Sequence, residues 1–187
     1  MKDIDFAAKS IVSEGFYKFD NVIREEDLKK LRDELDLAID LDKRNNHTKG
    51  NYSYLLQNKG TSFLDLLNSS PLQKFVDAII GDTCILHSYT GISLRPNELN
   101  KLQGRIHRDS PRYCRPYLLS LQILYMLDDF TPDNGATYFL QNSHLEEKKP
   151  SEKEFFVNAF QMLGKAGDAI LFDSMLFHSS GINKTNK

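Results

Sequence analysis

The sequence predicts a mainly β fold that carries helices at its N-terminus. Three observations point there. Leucines recur at helical spacing early in the chain, β-branched and aromatic residues dominate from Thr83 onward, and turn-forming clusters punctuate that second part. Helices first and many short strands afterwards indicate a two-sheet β-sandwich. At 187 residues the chain fits one domain, residues 1–187, with 1–82 mainly helical and 83–187 forming the β core.

Phe16, Tyr17 and Phe19 make a short apolar run ending at Asp20 and Asn21, a pair suited to a turn. Leu28, Leu31, Leu35 and Ile39 then repeat at intervals of three and four, which predicts a helix over 24–41 with one apolar stripe. Glu25, Glu26 and Asp27 lie in its first turn, where the helix dipole favours negative charge. The polar stretch from Asp42 to Gly50 reads as a loop. Ser70 and Pro71 read as N-cap and first residue of a helix through Ile80, and Gly81 as its stop.

Strands are expected over 83–94, 102–107, 119–127, 136–140, 156–163, 169–172 and 175–178. The third of these alternates, with Leu119, Leu121, Ile123, Tyr125 and Leu127 on one face and Ser120, Gln122, Leu124 and Met126 on the other. Thr131 to Gly135 and Lys165 to Asp168 are turns.

The formal net charge of −2 gives no electrostatic footprint for nucleic acid or an anionic membrane. There is no apolar run of transmembrane length and no apolar leader after Met1. Cys84 and Cys114 are too few and too separated for a disulfide framework or a zinc knuckle. A reducing, cytoplasmic setting is the expectation.

Chemistry concentrates in His107 and Asp109, followed far downstream by His178. Two imidazoles and one carboxylate are the ligand set of the facial triad of non-haem Fe(II) oxygenases, which leaves coordination positions open. Residues i and i+2 of a strand point to one side, so His107 and Asp109 can share a metal ion, with His178 arriving from another strand. A His-x-Asp alone is also an ordinary surface pair, and the motif gains force only from its context.

That context resembles the phytanoyl-CoA dioxygenase-like branch of the Fe(II)/2-oxoglutarate dioxygenases. Residues 15–28 are similar to the family's opening strand, turn and first helix, and His107-Arg108-Asp109 to its metal motif. Tyr125 to Gly135 resembles its strand and Asn-Gly turn, and residues 139–144 stand where the family has Pro-Gly-Ser-His. Gly167 to Asp173, His178 to Asn183 and Thr185 resemble the segment around its distal metal histidine. The order and spacing of these segments, across nearly the whole chain, are more specific than any one of them.

The resemblance implies a double-stranded β-helix, or cupin-like jelly roll, with Fe(II) held by His107, Asp109 and His178 and with 2-oxoglutarate and O2 as cosubstrates. The expected reaction oxidises a small-molecule substrate, with release of succinate and CO2. In related halogenases a small residue replaces the carboxylate ligand, so Asp109 implies hydroxylation. The family's anchor for the distal carboxylate of 2-oxoglutarate is an Arg about ten residues beyond the distal histidine, which falls just past Lys187. The final jelly-roll strand would fall there too. A truncated C-terminus is the expectation, because a sandwich short of one strand exposes an edge.

Ser180 matches a family hydroxyl that can bond the distal carboxylate. Gln122 suits either a cosubstrate contact or a buried structural amide, and Thr137 either a structural role or the pocket wall. Arg95 resembles a basic position ahead of the metal motif and suits either an anionic ligand or a solvated strand end. His144 is similar to a structural histidine of the family, while His47 and His87 read as surface or core residues. Arg105, Arg108, Arg112 and Arg115 give the metal mouth a positive bias that suits an anionic substrate. Three rivals stand beside the oxygenase: a non-catalytic metal-binding jelly roll that has lost 2-oxoglutarate, a cupin-like isomerase or thiol dioxygenase, and a binding sandwich with an accidental triad. The second uses more clustered histidines than this chain has.

Overall fold

The computed structural model describes residues 2–97 and 104–186. Helix α1 (Lys2–Glu14) ends at Gly15, whose φ of +96° turns the chain into strand β1 (Phe16–Phe19). Helix α2 (Glu25–Arg44) buries Leu28, Leu31, Leu35, Ala38 and Ile39 along one stripe, as the leucine spacing predicts. It runs past the expected end because Asp42 is turned inward, accepting from Ser53 Oγ at 2.6 Å and Lys59 Nζ at 2.5 Å. Strand β2 (Tyr52–Tyr54), helix α3 (Thr61–Ser69) and helix α4 (Gln73–Ile80) follow. Ser70 does not cap α4; it closes α3, and its Oγ bonds the Tyr125 hydroxyl at 2.8 Å. Gly81, at φ +98°, ends α4 as expected.

The β part is β3 (Thr90–Ile92), β4 (Leu121–Tyr125), β5 (Tyr138–Phe139), helix α5 (Glu152–Asn158), β6 (Phe160–Gln161), β7 (Ala169–Asp173) and β8 (His178–Ser179). Several strands are shorter than expected. Residues 83–89 join no ladder and leave Ile85 and Leu86 exposed, so β propensity there lacks the partner strand that would realise it. Of the strand expected over 102–107, residues 102 and 103 lie outside the described residues, and the rest bends into an isolated bridge at His107. Phe156 and Val157 belong to α5, not to a strand, because Ser151 and Glu154 form a capping box that starts a helix. Residues 174–176 are a turn rather than the start of a strand.

All described pairings are antiparallel. One sheet has the order β1-β7-β4, a second β6-β5-β8, and β2 pairs with β3. Strand β7 is buried on both faces and divides the core. Its Ala169 and Leu171 pack with Ala7 and Ile11 of α1 and Phe75 and Val76 of α4, whereas Ile170 and Phe172 pack against Phe139 of β5. The layers are therefore helices, sheet, sheet. Strand β4 keeps the alternation read from its sequence: Leu121 and Ile123 face the helices, and Leu124 faces the space between the sheets. Among the described residues no helix is long and apolar enough to cross a membrane.

The turn into β7 is held by Asp168, which is 3% exposed. Burial pushes its carboxyl up, but Lys18 Nζ at 2.7 Å and the Lys165 and Asn21 N–H groups outweigh this and bring it below its ordinary value. A carboxyl lowered by folding stabilises above its unfolded titration range and loses that contribution as the pH falls through its folded value. Asp168→Asn is expected to cost about 3 kcal/mol in urea denaturation at neutral pH. The deficit should shrink between about pH 5 and pH 2, where the wild type loses the same charge.

Candidate metal centre

The three residues picked out by the sequence converge. His107 lies on the long segment between β3 and β4, and it meets β8 through reciprocal backbone bonds: its N–H donates to the His178 carbonyl at 3.0 Å, and the His178 N–H donates back at 2.9 Å. Two residues on, the N–H groups of Asp109 and Ser110 both donate to the Ser174 carbonyl at 2.9 Å. His107, Asp109 and His178 each offer a ligand atom, and these atoms lie within 4.8 Å of one another. Asp109 Oδ1 is 3.6 Å from His107 Nε2, and its Oδ2 is 3.7 Å from His178 Nε2.

The imidazoles are oriented for ligation by the bonds on their far sides. His107 Nδ1 faces the Arg105 carbonyl at 2.7 Å and His178 Nδ1 the Leu176 carbonyl at 2.9 Å. A carbonyl only accepts, so each Nδ1 carries a proton and Nε2 is the nitrogen turned toward Asp109, the one a neutral ring offers to a metal. His178 is buried against Phe139 and Phe172, with ring centroids at 5.8 and 5.2 Å. Burial pushes its imidazole below the ordinary value; Asp109 opposes this and His107 adds to it. A neutral imidazole is the form that binds metal. The Asp109 side chain is 30% exposed, so the site is walled behind His178 and open beside the carboxylate.

The residues expected near a cosubstrate divide. Pairing of β5 with β8 continues in one register to the bridge between Asn134 and Asn183, which sets Thr137 opposite Ser180. By the two-residue strand period, Thr137 and Ser180 share the face of Phe139 and His178. Ser180 Oγ is buried there with no hydrogen-bond partner. Gln122 pairs with Phe172 on β7 and shares the Leu124 side of β4, between the sheets. Arg95, by contrast, is exposed. His144 is fully buried and bonds the Val12 carbonyl of α1 through Nε2 at 3.0 Å.

Of the arginines read as a basic mouth, Arg105 and Arg112 stay exposed. Arg108 lies over the Phe177 ring at 4.3 Å and donates to the Glu147 carbonyl at 2.5 Å; it lines a cavity of about 460 Å³ with Arg105, Tyr113 and Lys149. Arg115 turns inward to Asp173, a buried pairing that the sequence reading missed. The donor set and the orphaned Ser180 hydroxyl suit a divalent metal with an oxygen-rich ligand beside it.

The family model described as phytanoyl-CoA dioxygenase (PhyH) matches residues 12–187. The uncharacterized protein Rv1501 of Mycobacterium tuberculosis is 32% identical over 129 residues, 67% of this chain and 47% of that protein. The chain thus spans about half the length of the curated relatives it matches. Its fold is similar to that of AviO1 from Streptomyces viridochromogenes Tue57, at a TM-score of 0.76 and 18% identity over 100% of this chain and 91% of that one. It is also similar to SnoN, the non-heme alpha-ketoglutarate-dependent epimerase from nogalamycin biosynthesis, at a TM-score of 0.74 and 16% identity over 100% and 77% of the two chains.

Equilibrium titration of the purified protein with Co(II) is expected to give one site per chain. Single alanine substitutions of His107, Asp109 or His178 should each weaken it by more than the ~10–100-fold of an outer-shell change. Unchanged affinity in any of the three would remove that residue from the ligand set.

Proposed function

This chain belongs to the phytanoyl-CoA dioxygenase family, and from that premise we propose that it is an Fe(II)- and 2-oxoglutarate-dependent oxygenase that hydroxylates a small molecule. The observation that carries the proposal is the convergence of one carboxylate and two imidazoles within 4.8 Å, each imidazole with its Nδ1 on a backbone carbonyl. We read the two facing sheets as the family's jelly roll and residues 1–187 as one domain, with 1–82 its mainly helical part, which also lends β1 and β2 to the sheets, and 83–187 its core.

His107, Asp109 and His178 would hold the iron. When bound, iron with 2-oxoglutarate and O2 supplies the oxidation of an unactivated C–H bond, with succinate and CO2 as coproducts. The chain's own contribution is placement. Ser180 donates its orphaned hydroxyl to the cosubstrate carboxylate, Gln122 and Thr137 line the same inter-sheet space, and Phe139 and Phe172 keep water from the His178 side. Arg95, exposed as it is, would serve only a ligand arriving from outside the sandwich.

The test is an anaerobic titration with Fe(II) and 2-oxoglutarate, following the visible charge-transfer band of the chelate. The band should appear in the wild type and vanish in Asp109→Ala. In Ser180→Ala it should persist with 2-oxoglutarate bound about tenfold more weakly, the loss of one hydrogen bond to a charged group. Succinate release with a product heavier by one oxygen would establish hydroxylation; a product of unchanged mass would point to epimerisation, the activity named for SnoN. Iron binding without the band would leave a non-catalytic metal-binding protein.

A further inference from the structure

The turn that joins β7 to β8 touches two of the three candidate ligands directly, and the third through His178. Its Ser174 carbonyl accepts the Asp109 and Ser110 N–H groups, and its Leu176 carbonyl faces His178 Nδ1. His107 follows His178 through their reciprocal backbone bonds. A shift of this turn would therefore move every donor atom of the site.

The turn is held by a carboxylate that belongs to none of the expected chemistry. Asp173 is 1% exposed. Its Oδ1 accepts the Met175 N–H at 2.8 Å, its carbonyl accepts the Leu176 N–H at 2.9 Å, and its own N–H donates to the Gly15 carbonyl at 2.8 Å. Its Oδ2 meets Arg115 Nη2 at 2.5 Å, and Arg115 Nε reaches on to the His144 carbonyl at 3.2 Å. Ser174 is pinned from the other side by Ser120, whose Oγ lies 2.5 Å from its own. For stability alone such a pair is a poor device, because desolvating two charges offsets most of their attraction, and apolar residues of similar volume do as well. What a buried, hydrogen-bonded pair supplies is a single geometry.

We propose that Arg115 and Asp173 are positioning residues of the metal centre: their buried pair fixes the 173–176 turn, and the turn's carbonyls aim Asp109 and His178. The inference rests on the metal-centre reading above. It predicts a role for two residues that need not touch metal, cosubstrate or substrate.

The experiment is Co(II) titration of the full chain under anaerobic conditions, with affinity and the visible d–d band read at a temperature well below each variant's Tm. Arg115→Met and Asp173→Asn should bind about 10–100-fold more weakly than the wild type, with an altered band. Arg115→Lys keeps the charge but cannot span both Asp173 and the His144 carbonyl, and should fall between, which retains a readout if Arg115→Met does not fold. Asp168→Asn, which breaks a buried ion pair in the turn before β7, is the control: it should lower Tm and leave Co(II) affinity and band unchanged. Wild-type affinity in Arg115→Met and Asp173→Asn, with only Tm reduced, would overturn the inference while leaving the metal centre standing. A wild type that binds no Co(II) would overturn both. Loss of affinity in Asp168→Asn equal to that in Asp173→Asn would mean that general destabilisation accounts for the effect, and would also overturn the inference.

Discussion

The pair of backbone hydrogen bonds between His107 and His178 is the constraint on which the site depends. The segment from the end of β3 to the start of β4 carries two of the three ligands, yet the bridge at His107 is its one ladder contact among the described residues. A segment of that length, with no helix or strand among its described residues, has a large conformational entropy to lose. The bridge and the two N–H groups on the Ser174 carbonyl attach it where the chemistry needs it. Because a bridged pair fixes which face each side chain takes, both imidazoles turn toward Asp109 rather than toward solvent.

That attachment is only as firm as the strand it reaches. β8 is two residues long; it pairs with β5, and the 174–176 turn ties it to the end of β7. β7 is buried on both faces, held by β1 and β4 at its edges and by α1, α4 and β5 above and below. The burial of Ile170 and Phe172 on one side and Ala169 and Leu171 on the other makes any sliding of β7 cost apolar contacts in two cores at once. The N-terminal helices thereby contribute to the site at a distance: Gly15, at the end of α1, accepts from Asp173, and Val12 of the same helix accepts from His144.

The candidate ligands were legible in the sequence because ligation demands residue types, and a His-x-Asp with a further histidine far downstream is a recognisable pattern. The helix stripe of α2 and the alternation of β4 were legible because each element carries its own period in its own residues. What stayed hidden depended on partners far along the chain. Arg115 sits among other arginines near the metal motif, and nothing local distinguishes it from Arg112, which is exposed; the difference is Asp173, 58 positions away. Residues 83–89 have strand composition and no strand, since a ladder needs a neighbour that composition does not supply. Helix α5 is the opposite case: the Ser151 and Glu154 pair that starts it is visible in the sequence, but the apolar residues of 156–163 suit a strand equally well.

The distribution of burial around the triad gives the site a direction. His178 lies behind two phenylalanines and Asp109 is partly exposed, so approach from solvent is on the carboxylate side. Thr137 and Ser180 extend from His178 along the facing strands β5 and β8, on the inner side. A ligand that satisfies Ser180 must therefore lie within the sandwich, with the more open side beside Asp109 left for a second molecule. An ordered cosubstrate within and a variable substrate without is the arrangement that such burial favours, because interior walls are fixed by packing while loops at a mouth are free to vary. The aromatic wall also sets the electrostatics: in the drier half of the site a hydrogen bond from Ser180 is worth more than the same bond made at the mouth. The carbonyls that orient Asp109 and His178, and the buried Ser180 hydroxyl, thus trace to one strand–turn–strand unit, residues 169–180.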